Sequence, residues 1–214
     1  MKNNKPNNKK FDKEYDAVFG SPSTDVFSTE DFLKYIDNVL DFKESLSPDS
    51  VPAEYKTHTC TFTGHRPERL EIPENIVKKW LQEQINKAVS DGYDRFISGM
   101  QRGVDLWAAE SVLKLKSEGK NIKLIAACAF IGMDSGKGWD DKWRDVYKNI
   151  LVHADEVYYI GEKPGKAAFL KRDDWMVDHS SRLIAVYNDA PGGTKHTIDR
   201  AEKQGLEVFK LEKQ

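Results

Sequence analysis

The chain is poor in the residues that build metal sites, disulfide frameworks and membrane spans. Among its 214 residues there are two cysteines, Cys60 and Cys128, each inside an apolar run of strand character. Two buried thiols are expected there rather than a disulfide, which fits a reducing cytoplasm. The five histidines, His58, His65, His153, His179 and His196, are scattered, and no His/Cys cluster has metal-ligand spacing. Neither a metal site nor a cofactor is therefore expected. The longest apolar run, Leu124 to Ile131, is far too short to cross a bilayer, and no hydrophobic signal region follows the first residues. An excess of one charge is missing too: 33 Lys and Arg against 35 Asp and Glu leave a formal net charge of −2. Nothing then pulls the chain toward a membrane surface, and a nucleic-acid partner would need a local basic patch.

What is present divides unequally. Residues 1–10 are almost entirely Lys and Asn with one Pro, a composition that cannot bury a core and reads as a disordered tail. Residues 11–50 carry too many apolar side chains for a linker, Phe19, Phe27, Phe32, Leu33, Ile36, Leu40 and Phe42 among them. Ser28 or Thr29 serves as N-cap for a short amphipathic helix to about Lys43, an extension that packs on the main domain or on a partner. Residues 45–54, with Pro48 and Pro52, read as a linker. Residues 1–54 are thus a tail, a helical extension and a linker, and residues 55–214 are the main domain.

From Tyr55 the pattern is regular. Strands are expected over 57–63, 94–98, 122–130, 156–161, 182–188 and 206–211. Helices fall between them, over 74–90, 104–118, 140–153, 166–180 and 194–204. The third strand is apolar throughout, as when both faces of a sheet are covered. This alternation predicts an α/β, Rossmann-like, doubly wound fold: a mostly parallel six-stranded sheet with helices on both faces, plus the N-terminal extension. Such sheets bind ligands beyond the carboxyl ends of the strands, where the strand order reverses.

The loops that follow strands hold the candidate chemistry. After the first strand comes Thr63-Gly64-His65-Arg66-Pro67, in which Gly64 permits an unusual backbone angle and Arg66 offers a fork of donors to a phosphate. His65 is there an acid/base or a hydrogen-bonding residue. After the second strand, Ser98-Gly99-Met100-Gln101-Arg102-Gly103-Val104-Asp105 is a turn with two glycines that opens into a helix, an arrangement that suits phosphate. Arg102 reads as a solvated charge, and Asp105 either holds the turn or bonds a ribose hydroxyl. After the fifth strand, Pro191-Gly192-Gly193-Thr194 is a second anion cradle at a helix start. The helix over 166–180 adds Arg172 and Asp178. Trp139 and Trp143, four apart, are core residues or base-stacking platforms.

Taken together these loops resemble the SLOG superfamily of Rossmann-like domains, named for the Smf and "lonely guy" proteins, and within it the YpsA/YoqJ-like family of Firmicutes and their phages. The likeness lies in residues 63–67, in 98–110, in Arg172 through Met176-Val177-Asp178, and in Gly192-Gly193-Thr194 with Thr197-Ile198. It covers the chain from about Tyr55 onward and leaves residues 1–54 outside.

Lonely-guy phosphoribohydrolases use an Arg and a Glu to cleave the N-glycosidic bond of nucleoside monophosphates. Arg172 matches that Arg, the one catalytic candidate, but the Glu position falls on Thr197, whose hydroxyl cannot stabilise an oxocarbenium-like centre. The DNA-processing protein A family has an Ala where Gln101 stands and an Asn where Asp173 stands, which weakens a single-stranded DNA reading. Other superfamily members are proposed sensors of nucleotide-derived ligands such as ADP-ribose, and members often dimerise. The resemblance therefore implies a cytoplasmic protein binding a nucleotide-derived small molecule. The ligand would be held by Thr63, Gly64, His65, Arg66, Ser98, Gly99, Met100, Gln101, Gly103, Asp105, Arg172, Asp178, Gly192, Gly193, Thr194 and Thr197, and a homo-oligomer is its further implication.

Overall fold

The computed structural model describes Pro48 and residues 51–212. The predicted tail, the predicted helix ending near Lys43 and most of the predicted linker lie outside the described residues.

Six strands form one sheet: β1 (Thr59–Gly64), β2 (Arg95–Ser98), β3 (Lys123–Cys128), β4 (Glu156–Tyr159), β5 (Arg182–Tyr187) and β6 (Glu207–Glu212). Every strand pair is parallel, in the order β4-β3-β2-β1-β5-β6. The chain steps outward from β1 to β4 and then returns past β1 to lay β5 on its other side. The order thus reverses between β1 and β5, where Gly64 pairs with Val186 at the carboxyl rim.

Five helices connect the strands: α1 (Glu74–Ser90), α2 (Val104–Ser117), α3 (Asp141–His153), α4 (Lys166–Asp178) and α5 (Gly193–Lys203). The period-2 alternation of the strands decides which helix covers which face. Phe62, Phe96, Leu124, Ala126, Ile184 and Val186 face α1, α2 and α3 and form the largest core cluster. Their neighbours turn the other way. Ile97, Ile125 and Ala127 meet Trp175 and Met176 of α4, and Leu183 and Ala185 meet Ile198 and Ala201 of α5. Because both faces are covered, β3 and β5 are apolar from their second residue on, over Leu124–Cys128 and Leu183–Tyr187.

Boundaries shift by no more than two residues from the sequence expectation, at the first and third strands among others. The first strand begins at Thr59, because Ala53–His58 forms a 3-10 helix that its neighbours hold in place. Thr59 Oγ1 donates to the Tyr55 carbonyl at 2.6 Å, and the Tyr55 ring lies 3.5 Å from the Arg95 guanidinium. The strand expected over 122–130 stops at Cys128, although the amides of Ile160 and Gly161 still donate to the carbonyls of Cys128 and Ala129. The segment before the 3-10 helix lies against α4: Trp175 Nε1 donates to the Pro48 carbonyl at 2.8 Å, and Val51 packs on the α4 cluster.

Candidate functional site

A cavity of about 230 Å³ opens at the carboxyl rim, beside the point where the strand order reverses. Phe62, Thr63 and Gly64 bring the end of β1 to it, and His65, Arg66 and Arg69 come from the loop that follows. Gln101 and Asp105 come from the β2–α2 turn, Phe169, Arg172 and Asp173 from α4, and Gly193 and Thr194 from the start of α5. Its volume lies below the roughly 300–1,000 Å³ common for drug-sized ligands.

The glycines serve protein packing more than ligand approach. A Cβ on Gly64 would lie 2.4 Å from Val104 Cγ2, so α2 can dock on the end of β1 only with glycine there. A Cβ on Gly99 would lie 2.3 Å from Arg172 Nη1 and 2.7 Å from Asp105 Oδ2. Its absence is what lets the guanidinium of α4 meet the carboxylate of α2 over the turn. Gly103, with φ of 91°, brings the same turn against the His65 carbonyl and Pro67.

This corrects the reading of the β2–α2 turn as a phosphate cradle. Its amides are used within the turn: Met100 N–H donates to Ser98 Oγ (3.2 Å), Gln101 N–H to Asp105 Oδ2 (3.3 Å) and Arg102 N–H to Gln101 Oε1 (3.0 Å). Ser98 Oγ in turn donates to the Asp105 carbonyl at 2.9 Å. Asp105 therefore holds the turn while one side of it faces the cavity. Ser98, Gly99, Met100 and Gly103 do not line the cavity. Arg102 is buried rather than solvated, paired with Glu68 at 2.9 Å beneath Gly138.

At α5 the arrangement is open. Gly192, at φ of 150°, precedes the helix without a side-chain cap, and the first backbone bond of the helix runs from His196 N–H to the Gly192 carbonyl. The amides of Gly193, Thr194 and Lys195 thus have no partner within their own helix, and the helix dipole adds positive potential. Arg69 donates to the Pro191 carbonyl at 3.3 Å, which ties the loop after β1 to this helix start. Thr197 lies one turn in, its hydroxyl donating to the Gly193 carbonyl at 2.9 Å, and does not line the cavity. Asp178 is on the surface, both its oxygens 2.8 Å from Arg200 Nη2, and stands apart from the cavity because the end of α4 runs away from the rim. Trp139 packs edge-on against Tyr147, and Trp143 against Trp107, so both serve the core.

The electrostatic centre is Arg172, 5% exposed. Its Nε lies 2.8 Å from Asp173 Oδ1 and its Nη1 3.8 Å from Asp105 Oδ2. The Asp173 contact is short but off the N–H direction, so Nε and Nη1 have no hydrogen-bond acceptor among the described residues. Burial pushes the Asp105 carboxyl up to about 7 against the pull of Arg172, with Asp173 adding to the rise. Burial raises Asp173 as well, opposed by Arg172. His65, 3% exposed, is held below the ordinary imidazole range by burial and then by the Arg69 charge, so it is neutral at pH 7. Its Nε2 has no hydrogen-bond partner among the described residues.

Nine of the residues singled out in the sequence converge on the cavity: Thr63, Gly64, His65, Arg66, Gln101, Asp105, Arg172, Gly193 and Thr194. Four lining residues escaped sequence reasoning: Phe62, Arg69, Phe169 and Asp173. Arg69 and Phe169 each stand three residues from a chosen arginine, a spacing that was a usable signal. Asp173 was visible only as a departure from a known motif.

The sequence matches the family described as the YspA SLOG family (YpsA) over residues 60–210. UPF0398 proteins of Bacillus thuringiensis (strain Al Hakam) and Bacillus cereus (strain AH187) are each 32% identical over 152 residues, covering 67% of this chain and 82% of the relative. Among solved structures, DNA processing protein A from Helicobacter pylori, described for its single-stranded DNA binding mode, aligns with a TM-score of 0.54 at 19% identity, over 73% of this chain and 66% of that one. Its counterpart from Streptococcus pneumoniae aligns at 0.52 and 21%, over 74% and 50%. Those structures share the fold, and this chain spans about two thirds and half of their lengths. The match over residues 60–210, with the Bacillus relatives, makes the chain a member of the YpsA SLOG family.

Proposed function

We propose that this chain binds a nucleotide or nucleotide-derived phosphate ligand of the ADP-ribose and NAD class, as a cytoplasmic sensor or regulatory protein whose binding domain spans residues 55–214. One observation carries the reading: three guanidiniums, of Arg66, Arg69 and Arg172, converge with the uncapped start of α5 on one cavity at the sheet's reversal point. The phosphate seat is the α5 start with Arg66 and Arg69. Calorimetry of the full chain against ADP-ribose, NAD, AMP and cyclic nucleotides tests it. Saturable binding of at least one is expected, and no heat at millimolar ligand would sink it.

Two other readings have an observation behind them. Arg172 with the neighbouring carboxylate of Asp173 favours N-glycoside cleavage, tested by release of free base from AMP and its loss in Arg172→Ala. Likeness to a fold that binds single-stranded DNA in the Helicobacter pylori protein favours an oligonucleotide. Retardation of an oligonucleotide that weakens steeply with salt is the test, and the net charge of −2 argues against it.

A further inference from the structure

The cavity makes opposite demands at its two ends, which says more about the ligand than its phosphate does. The argument rests on the proposed phosphate binding. At the mouth, Arg66 and Arg69 are exposed. Arg66 is 3.8 Å from Glu68, and Arg69 donates to the Pro191 carbonyl at 3.3 Å. Arg69 Nη1 lies 3.5 Å from where a Cβ on Gly192 would stand, so the guanidinium borders the start of α5. Two exposed guanidiniums and the helix start set the potential of that end.

The inner end differs. Arg172 lies between two buried carboxylates, Asp105 and Asp173, 6% and 8% exposed. Asp173 Oδ2 is 3.3 Å from the Cβ position of Gly193, so it also covers the inner side of the α5 start. A phosphate pressed against Arg172 would meet two carboxylates for one guanidinium. Arg172 is already matched by the Asp173 carboxylate at 2.8 Å, and the ionised fraction of Asp105 adds to the repulsion.

A neutral group with hydroxyls meets no such conflict. Its O–H groups donate to the carboxylates, and its oxygens accept from the Arg172 Nε and Nη1 hydrogens. His65 Nε2, buried and unpartnered among the described residues, offers one more contact. We infer that the inner end of the cavity is a sugar subsite, in which Asp105 and Asp173 accept from a vicinal diol while the phosphate stays at Arg66, Arg69 and the α5 amides. The ligand is then a ribose phosphate derivative. A deoxyribose lacks one of the two donors.

Titration calorimetry of the full chain with AMP, 2′-deoxy-AMP and inorganic phosphate tests this. AMP is expected to bind about tenfold or more tightly than 2′-deoxy-AMP, because a hydrogen bond to a charged group is lost. In Asp173→Asn that preference shrinks toward unity while phosphate binds as well as before or better. In Arg69→Ala all three probes weaken and the preference stays. Equal affinity of the wild type for AMP and 2′-deoxy-AMP, with both bound, overturns the sugar subsite alone and needs no variant. Failure of all three probes to bind overturns the phosphate reading and the subsite with it. An Asp173→Asn variant that folds, judged by its circular dichroism, and keeps the full preference removes Asp173 from the assignment and overturns the proposal as stated.

Discussion

Replacing Asp105 with Asn should change how the stability of this protein depends on pH. The Asp105 carboxyl is buried at the base of the cavity and pushed from 3.8 up to about 7, by burial first and by Asp173 in addition, with Arg172 opposing. In the unfolded chain the same group titrates near 3.9. Between about pH 4 and about pH 7 the native state therefore keeps a proton that the unfolded state has released. Stability conferred by this group falls as the pH rises through that window and levels off above it. At about 1.4 kcal/mol per pKa unit, a shift of this size is worth on the order of 4 kcal/mol across the window. Full burial removes any discount for solvent screening.

The Asn variant cannot titrate, yet its amide oxygen can still accept from the Gln101 N–H that Asp105 Oδ2 holds at 3.3 Å. Urea denaturation of both proteins from about pH 5 to about pH 8 gives the difference in unfolding free energy at each pH. Taking that difference cancels the contribution of His65, whose depressed imidazole acts in the opposite direction. The expected result is a difference that moves by a few kcal/mol in favour of the variant as the pH rises to 7, then stays flat. A difference independent of pH would mean that Asp105 is ionised in the fold throughout, and that Arg172 outweighs burial.

Gly99→Ala puts a Cβ 2.3 Å from Arg172 Nη1, so the guanidinium must move; about 1–3 kcal/mol of stability is expected to go, with ligand affinity falling more than tenfold in calorimetry. Asp178→Ala should leave ligand binding unchanged and shift stability by less than about 1 kcal/mol, since its Arg200 pair is on the surface. Cys60 and Cys128 are fully buried with thiol pKa values pushed up by burial, so neither should react with an aromatic disulfide reagent until the protein is unfolded. Phe62→Ala, which opens the core beneath the cavity where Phe62 stacks on Phe96 at 6.2 Å, should cost about 3–5 kcal/mol in denaturant titration.

Most of the fold was legible because its signals are local. Apolar residues in β2 and β5 alternate between helix-covered faces, and Gly or Pro marks several of the turns, so element order and sheet direction followed from spacing. The expected helix over 74–90 is the observed α1. The first strand is expected to start two residues too early because Thr57 and His58 suit a strand, and nothing local shows that the Tyr55 ring will stack on Arg95.

The site was legible in part, and the boundary is physical. A glycine beside a strand end admits two causes, a ligand coming close or another side chain doing so. For Gly99 the cause is Arg172, from a helix far along the chain, and only tertiary structure reveals it. Arg102 is the same case in reverse: its sequence neighbours give no sign of burial, which Glu68 and Gly138 impose from other loops. The α5 start was readable because an uncapped helix end depends on residues adjacent in sequence.

The least legible residue, Asp173, has the largest consequence for what the cavity accepts. A guanidinium buried as deeply as that of Arg172 costs several kcal/mol unless it is paired, and Asp105 and Asp173 provide the pairing from two different helices. The charges that make Arg172 tolerable in the core also occupy it against a phosphate. A cavity built with Arg172 alone would attract any anion, whether inorganic phosphate, a DNA backbone or a nucleotide. On the sugar-subsite proposal, attraction for bare anions is confined to Arg66, Arg69 and the α5 amides, and the inner end selects hydroxyl groups.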